Sequence, residues 1–184
     1  MAAGMKVLAD AGSEQAMSIR AVADAAGVTP PSIYMHFADK ADLVYAVCER
    51  HFIELDAYVE SQLAGISEPA ERLAMRGRSY IQFGLDHAEQ YRVLFMTTEF
   101  PDHYTPEKMG EMAGFKHLVD NVRECIDAGT IVSDNPELVS IGLWALVHGV
   151  TSLIVSRPGF PWPPIDELAD HVLATYAAGL APKR

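Results

Sequence analysis

The sequence predicts an all-α protein of about nine helices. Three observations carry that expectation. Apolar residues recur at helical spacing along nearly the whole chain. No run alternates apolar and polar residues rich in Val, Ile and Thr between turn signals. Helix start and stop residues punctuate the chain into clean segments. The chain has 184 residues and is 49% hydrophobic, which supplies a sizeable core and fits one large domain or a small one plus a medium one.

The segments follow in order. A short helix is expected over residues 2–11, closing at Gly12. Ser18 opens a second, with Ile19, Val22, Ala23 and Ala26 on one face and Gly27 as its stop. Thr29 opens a very short third. Asp39 caps a long fourth helix carrying Leu43, Val47, Phe52, Leu55 and Val59. "GISEP" separates it from a fifth that reaches about residue 89, and "EQYRVLF" forms a sixth. After the loop "FPDHYTP", Pro106 starts a seventh that ends near Gly129. Pro136 starts an apolar eighth, "RPGFPWPP" is a rigid loop, and a last helix is expected over residues 165–179.

Composition narrows the function classes. No stretch of about 18 apolar residues lacks a charge or a breaker, so no membrane-spanning helix is expected. The first residues show no basic region followed by a long apolar run, so no signal peptide is expected. Cys48 and Cys125 read as reduced, buried thiols, which points to a cytoplasmic protein. The net charge of −11 argues against broad, charge-driven nucleic-acid binding. A local contact face stays open, because residues 1–51 hold four basic against six acidic side chains while the remainder holds ten against nineteen.

The stretch "GVTPPSIYMHF" is the most informative. Two prolines stand where a helix should begin. The first N–H groups of a helix have no intrahelical partner, so proline is tolerated there and its φ is already helical. Thr29 is the expected N-cap. Its hydroxyl should reach Ser32 N–H, since Pro31 has none to offer. Ala23 is small enough for two helices to cross closely, Gly27 suits the tight turn between them, and Ile33 returns an apolar contact. This is helix-turn-helix grammar, in which the second helix enters the DNA major groove.

The stretch "MSIRAVADAAGVTPPSIYMHFADKADLVYAV", with its Tyr34, His36, Phe37 and Lys40 element, resembles the DNA-binding domain of the TetR family of transcriptional regulators. The resemblance covers about 45 residues and implies a three-helix DNA-binding domain at residues 1–45, followed by a helical ligand-binding and dimerisation domain at 46–184. Tyr34 and His36 can donate to phosphate oxygens without net charge. Lys40, in the first turn of the long helix, forms an anion site with the free N–H groups there. Ser18 and Thr29 sit at two other helix starts, and Arg20 can reach a phosphate or a base edge. Phe37 is expected in the core. Direct readout would lean on Pro30, Pro31 and Met35 against thymine methyls, with Ser32 as a polar contact. So few cations imply a shallow salt dependence.

In the C-terminal part, Tyr80, Phe83, Gly84, His87 and Tyr91 share one helix face at the spacing i, i+3, i+4, i+7 and i+11. Phe95 and Met96 follow, and Met109, Met112 and Phe115 open the next helix. This aromatic and thioether surface could line an apolar ligand cavity or simply fill a core. Trp144 and His148 share another face, beside a small-residue stripe of Gly142, Ala145, Gly149, Ser152 and Ser156. Tyr91 to Phe95 and the Trp144, His148 and Gly149 set resemble a TetR subfamily named for a Trp-His-Gly motif. The family implies a homodimer through a four-helix interface, carried over here to about residues 136–156 and 165–179, and binding to a palindromic double-stranded DNA operator. It also implies a small effector, which the aromatic and Met content suggests is apolar, and repression by default.

An enzyme is the first rival reading. No Gly-rich phosphate loop, nucleophile elbow or H-E-x-x-H occurs, so no catalytic residue, cofactor or metal site is expected. A metal-dependent helical enzyme would need His87 or His148 to meet carboxylates from other helices. The second rival is a helical small-molecule-binding protein with a vestigial reading head, supported by the acidic balance.

Overall fold

The computed structural model describes residues 3, 4, 6, 7, 17–96 and 113–182. Among them are eight α-helices and no strand: α1 (Ile19–Ala26), α2 (Pro30–Tyr34), α3 (Lys40–Gln62), α4 (Pro69–Asp86), α5 (Ala88–Met96), α6 (Ala113–Asp127), α7 (Pro136–Ser156) and α8 (Ile165–Leu180). The expected first helix is represented by residues 3, 4, 6 and 7, which are helical. The "FPDHYTP" loop and the helix start at Pro106 lie outside the described residues.

The local signals act largely as the sequence suggests. Ser18 Oγ accepts the Ala21 N–H at 3.1 Å and caps α1. Gly27 ends α1 at φ 68°, ψ 30°. Its N–H donates to Asp24 O, and Val28 N–H donates to Ala23 O at 3.0 Å, the paired bonds of a Schellman stop. Asp39 Oδ1 accepts Asp42 N–H at 2.9 Å, while Asp42 Oδ2 accepts Ala38 N–H at 2.9 Å. Each aspartate thus satisfies a free amide at the entry to α3, a variant of the capping box.

One expectation changes and one boundary moves. Thr29 makes no side-chain bond to the Ser32 amide. The Ser32 N–H donates instead to the Thr29 backbone carbonyl at 2.9 Å, and the two hydroxyls lie 3.1 Å apart. In a helix of five residues the tight backbone bond takes the amide first. The boundary between the expected fifth and sixth helices falls a few residues earlier than about residue 89. α4 stops at Asp86, the chain turns at His87, and Tyr91 N–H donates to His87 O at 2.8 Å to start α5. A one-residue turn barely disturbs the apolar spacing, so periodicity places this boundary only to within a few residues. Separately, α7 is the one described helix long and apolar enough to cross a membrane, properties that the core helix of a soluble protein shares. Its glycines interrupt the apolar run without breaking the helix.

The described chain forms two compact units, residues 1–54 with 87–109, and residues 55–86 with 110–184. In the first, Met17, Val22, Ala23, Ile33, Leu43, Val44 and Val47 form the core together with Leu94 of α5. Phe37 packs against this cluster, as expected. Ala23 is fully buried, so the α1 and α2 backbones approach as closely as a methyl allows.

In the second unit, α4 packs on α6, α7 and α8. Ile81, Val147, Ala169 and Leu173 form one cluster, and Val122, Cys125, Ile131 and Val139 another. Two glycines set the approach of α8. A Cβ at Gly142 would meet Tyr176 Oη at 2.0 Å, and one at Gly77 would meet Leu173 Cδ2 at 2.8 Å. Part of the α7 small-residue stripe is therefore used within the chain. Ser140 and Thr151 are fully buried on α7 and donate to Pro136 O and Val147 O, so neither hydroxyl is stranded.

Candidate nucleic-acid interface

The residues expected to touch DNA stand open at α2 and its flanks. Met35 is 82% exposed and Tyr34 56%. Ser18, Arg20, Thr29, Pro31 and His36 are exposed, while Pro30, Ser32 and Lys40 are half-buried. Ile33, between them in sequence, is buried and anchors α2 to α1. The alternation is what a reading helix needs: one apolar residue holds the element and its neighbours project outward. Arg20 and Lys40 form no ion pair among the described residues. The donor set is three hydroxyls, a phenol, an imidazole, a guanidinium and an ammonium. It suits phosphate oxygens. Val28, 43% exposed in the turn, was not singled out in the sequence. Its signal is an apolar residue directly after a turn glycine.

The aromatic residues expected to share one ligand face are divided. Tyr80, Phe83, Phe115, Trp144 and His148 belong to the second unit, and His87, Tyr91 and Phe95 to the first. The turn at His87 makes the division. Tyr91 is buried, its ring centroid 4.6 Å from that of Phe95, which meets Phe52 edge-on at 5.9 Å. These rings are core. Phe83 is also buried, against Tyr58 at 5.5 Å. The Met96 side chain, Met109 and Met112 lie outside the described residues.

Four of the expected residues do come together, all half-buried. Trp144 Nε1 donates to Tyr80 Oη at 3.3 Å, and the Trp144 ring lies 6.3 Å from Phe115 and 6.4 Å from His148. Burial holds the His148 imidazole below its ordinary pKa, so it is neutral near pH 7 and can offer one donor and one acceptor. Separately, a cleft of about 350 Å³ is lined by Tyr58, Met75, Ser79, Ile81, Gln82 and Ile165, with the Arg78–Asp170 ion pair among its walls. None of the expected ligand residues lines this cleft.

Another side-chain group was missed. Asp56 and Glu60, one turn apart on α3, meet His117 of α6. His117 Nδ1 lies 3.0 Å from Asp56 Oδ1 and 3.6 Å from Glu60 Oε1. Arg76, buried on α4, places Nη1 2.8 Å from the same Glu60 oxygen.

A glycine-cornered helix pair with outward-facing donors, followed by a separate helical unit, defines a helix-turn-helix regulator. Residues 73–176 match the family model described as "Tetracyclin repressor-like, C-terminal domain", and residues 1–47 match "Bacterial regulatory proteins, tetR family". The chain belongs to the TetR family of bacterial transcription regulators, a family of regulators rather than enzymes.

The HTH-type transcriptional activator FasR of Mycolicibacterium smegmatis is 32% identical over 74 residues, which span 40% of this chain and 34% of FasR. The match thus covers about a third of that relative's length. A solved structure from Rhodococcus sp. RHA1 superposes with a TM-score of 0.76 at 24% identity, covering 97% of this chain and 96% of the other. The regulator FadR of Bacillus subtilis, solved in complex with stearoyl-CoA, gives a TM-score of 0.75 at 17% identity over 97% of this chain and 96% of its own. At such identities the two structures speak to the fold alone.

Proposed function

We propose that the chain is a ligand-responsive transcriptional repressor, binding a palindromic operator as a homodimer and released by a small apolar effector in the cytoplasm. The observation that carries this reading is the exposed donor set around a proline-started α2 anchored by a single buried residue, Ile33. Residues 1–45 form the reading head, contacting DNA through Ser18, Arg20, Thr29, Pro30, Pro31, Ser32, Tyr34, Met35, His36 and Lys40. Residues 46–184 hold the effector and the dimer contact. Leu138, Ile141 and Leu153, each at least 50% exposed on α7, supply an apolar face for a second copy, and one reading helix alone touches too few base pairs to be specific.

Tyr80, Phe115, Trp144 and the neutral His148 are assigned to the effector, with the cleft beside Tyr58 and Met75 as added apolar volume. The stearoyl-CoA in the similarly folded FadR supports a lipid-sized occupant. Effector binding favours a dimer geometry that misfits successive major grooves, a population shift scaled by its differential affinity. The test is a gel-shift titration against duplexes from upstream of the chain's own gene, repeated after adding a lipid extract. Retardation that the extract relieves is expected. No shift with any upstream duplex refutes the reading. FasR is named an activator, so reporter transcription with and without the chain decides the sign.

A further inference from the structure

We propose that Asp56, Glu60 and His117 form a binding site for a divalent transition-metal ion, zinc first, with water completing the coordination. The one imidazole and two carboxylates present their ligand atoms within 4.8 Å of one another. In a tetrahedron with ligands about 2.0–2.1 Å from zinc, neighbouring ligands stand about 3.3–3.4 Å apart. The observed His117 to Asp56 and His117 to Glu60 separations, 3.0 and 3.6 Å, bracket that edge length. An ion between them would draw the two carboxylate oxygens and the imidazole nitrogen into a common shell by side-chain adjustment.

Three further features fit. Asp56 and Glu60 are spaced i, i+4 on α3, so both carboxylates project from one face. Gly114, one turn before His117, faces Asp56: a Cβ there would stand in contact with the Asp56 side chain, 3.4 Å from Oδ1. Glu60 Oε1 is buried, yet no described donor reaches it in hydrogen-bond geometry, despite the ion pair with Arg76. The Arg76 charge offsets burial of this carboxylate, and the oxygen keeps lone-pair capacity for a metal ion. The His117 side chain is 42% exposed, which opens the site to solvent for ion entry and for a bound water.

Arg76 sets the strength of the site. It offsets one of the two carboxylates, so the ion meets a net charge of −1 from the ligand side chains and Arg76 together rather than −2 from the ligands alone. The mixed nitrogen and oxygen donor set ranks copper and zinc above manganese, and calcium and magnesium lower still. Binding would tie α3 to α6 within the second unit. The proposal goes beyond the operator-binding reading, and its test involves no DNA.

The full chain, stripped with a chelator and dialysed, is titrated with Zn²⁺ by calorimetry and with Co²⁺ by visible absorbance. One ion per chain is expected, together with a thermal midpoint that rises with zinc. Asp56→Asn and His117→Gln, near-isosteric changes, should each weaken binding at least about tenfold, since even partners of metal ligands are worth 10–100-fold. His171→Gln, an exposed histidine on α8, should leave affinity unchanged. In the unaltered chain, the ring resonances of His117 should shift on zinc addition. Absence of binding, binding that both variants leave within twofold, or a His117 ring whose resonances stand still would each overturn the proposal.

Discussion

Replacing Lys40 with alanine separates a phosphate contact from a structural role. Lys40 is the first residue of α3, where the helix dipole disfavours a cation by about 0.3–1 kcal/mol. It pairs with no carboxylate among the described residues, and the caps supplied by Asp39 and Asp42 do not use its side chain. Its removal should leave the urea midpoint unchanged or slightly raised. On DNA the effect runs the other way. A dimer loses two phosphate contacts, and each contributes about 0.9 to the slope of log K against log salt, so the slope becomes shallower by roughly 1.8. Between about 50 and 200 mM salt, a fourfold change, the gap between native and variant affinity should narrow about twelvefold. Fluorescence anisotropy on a labelled upstream duplex and on a generic duplex of equal length measures both slopes. Phosphate contacts carry no sequence information, so both duplexes should show the change. Equal slopes for variant and native chain would refute a phosphate role for Lys40, and a lowered urea midpoint would assign it to the fold instead.

Other outcomes test the surrounding structure. Ile33→Ala removes the only described buried residue of α2 and should cost about 2–5 kcal/mol in chemical unfolding. Gly27→Ala meets no atom within 4 Å, so its cost should be that of the left-handed backbone alone, about 1–2 kcal/mol. Burial lowers the pKa of His148 and of His51 in the folded chain, so the unfolded chain binds more protons once pH falls below about 6.5. Stability should therefore drop as pH falls from 6.5 through the depressed folded values, and His148→Gln should flatten that drop. Cys48 and Cys125 are buried, and burial raises the Cys125 pKa, so a thiol reagent should find neither in the native chain and both after denaturation.

What the sequence made legible was local. The Ser18 cap, the Gly27 stop, the Pro30–Pro31 entry and the Asp39 start each act through backbone chemistry within four residues, and each is where the punctuation placed it. The exposure of Tyr34, Met35 and His36 followed from the same short range, since one buried anchor in a five-residue helix leaves the rest outside. What was not legible depended on where chain segments fold back. Tyr80 and Tyr91 keep helical spacing across His87, yet the turn there sends them to different cores. Asp56 and Glu60 announce a carboxylate pair, but the imidazole that meets them lies 61 residues further along, and no periodicity links the two. The Gly142 stripe asks for a partner helix within the chain or across a dimer, and only the fold shows that Tyr176 of the same chain fills the space that glycine leaves.

The same distinction explains why an acidic chain can carry a DNA-reading head. Net charge acts through long-range potential, which salt screens over about 8–10 Å. Contact energy comes from donors held at the right spacing. Here the donors on and beside α2 are mostly neutral: the Thr29 and Ser32 hydroxyls, the Tyr34 phenol and the His36 imidazole. They can bind phosphate oxygens with little counterion release, which trades long-range steering for tolerance of salt. Complexes of this chain with DNA should accordingly weaken less steeply with ionic strength than those of a head whose phosphate donors are mostly Lys and Arg. A slope for the native dimer as steep as that of a repressor making ten phosphate contacts, about −9, would show that cations elsewhere in the chain carry the binding.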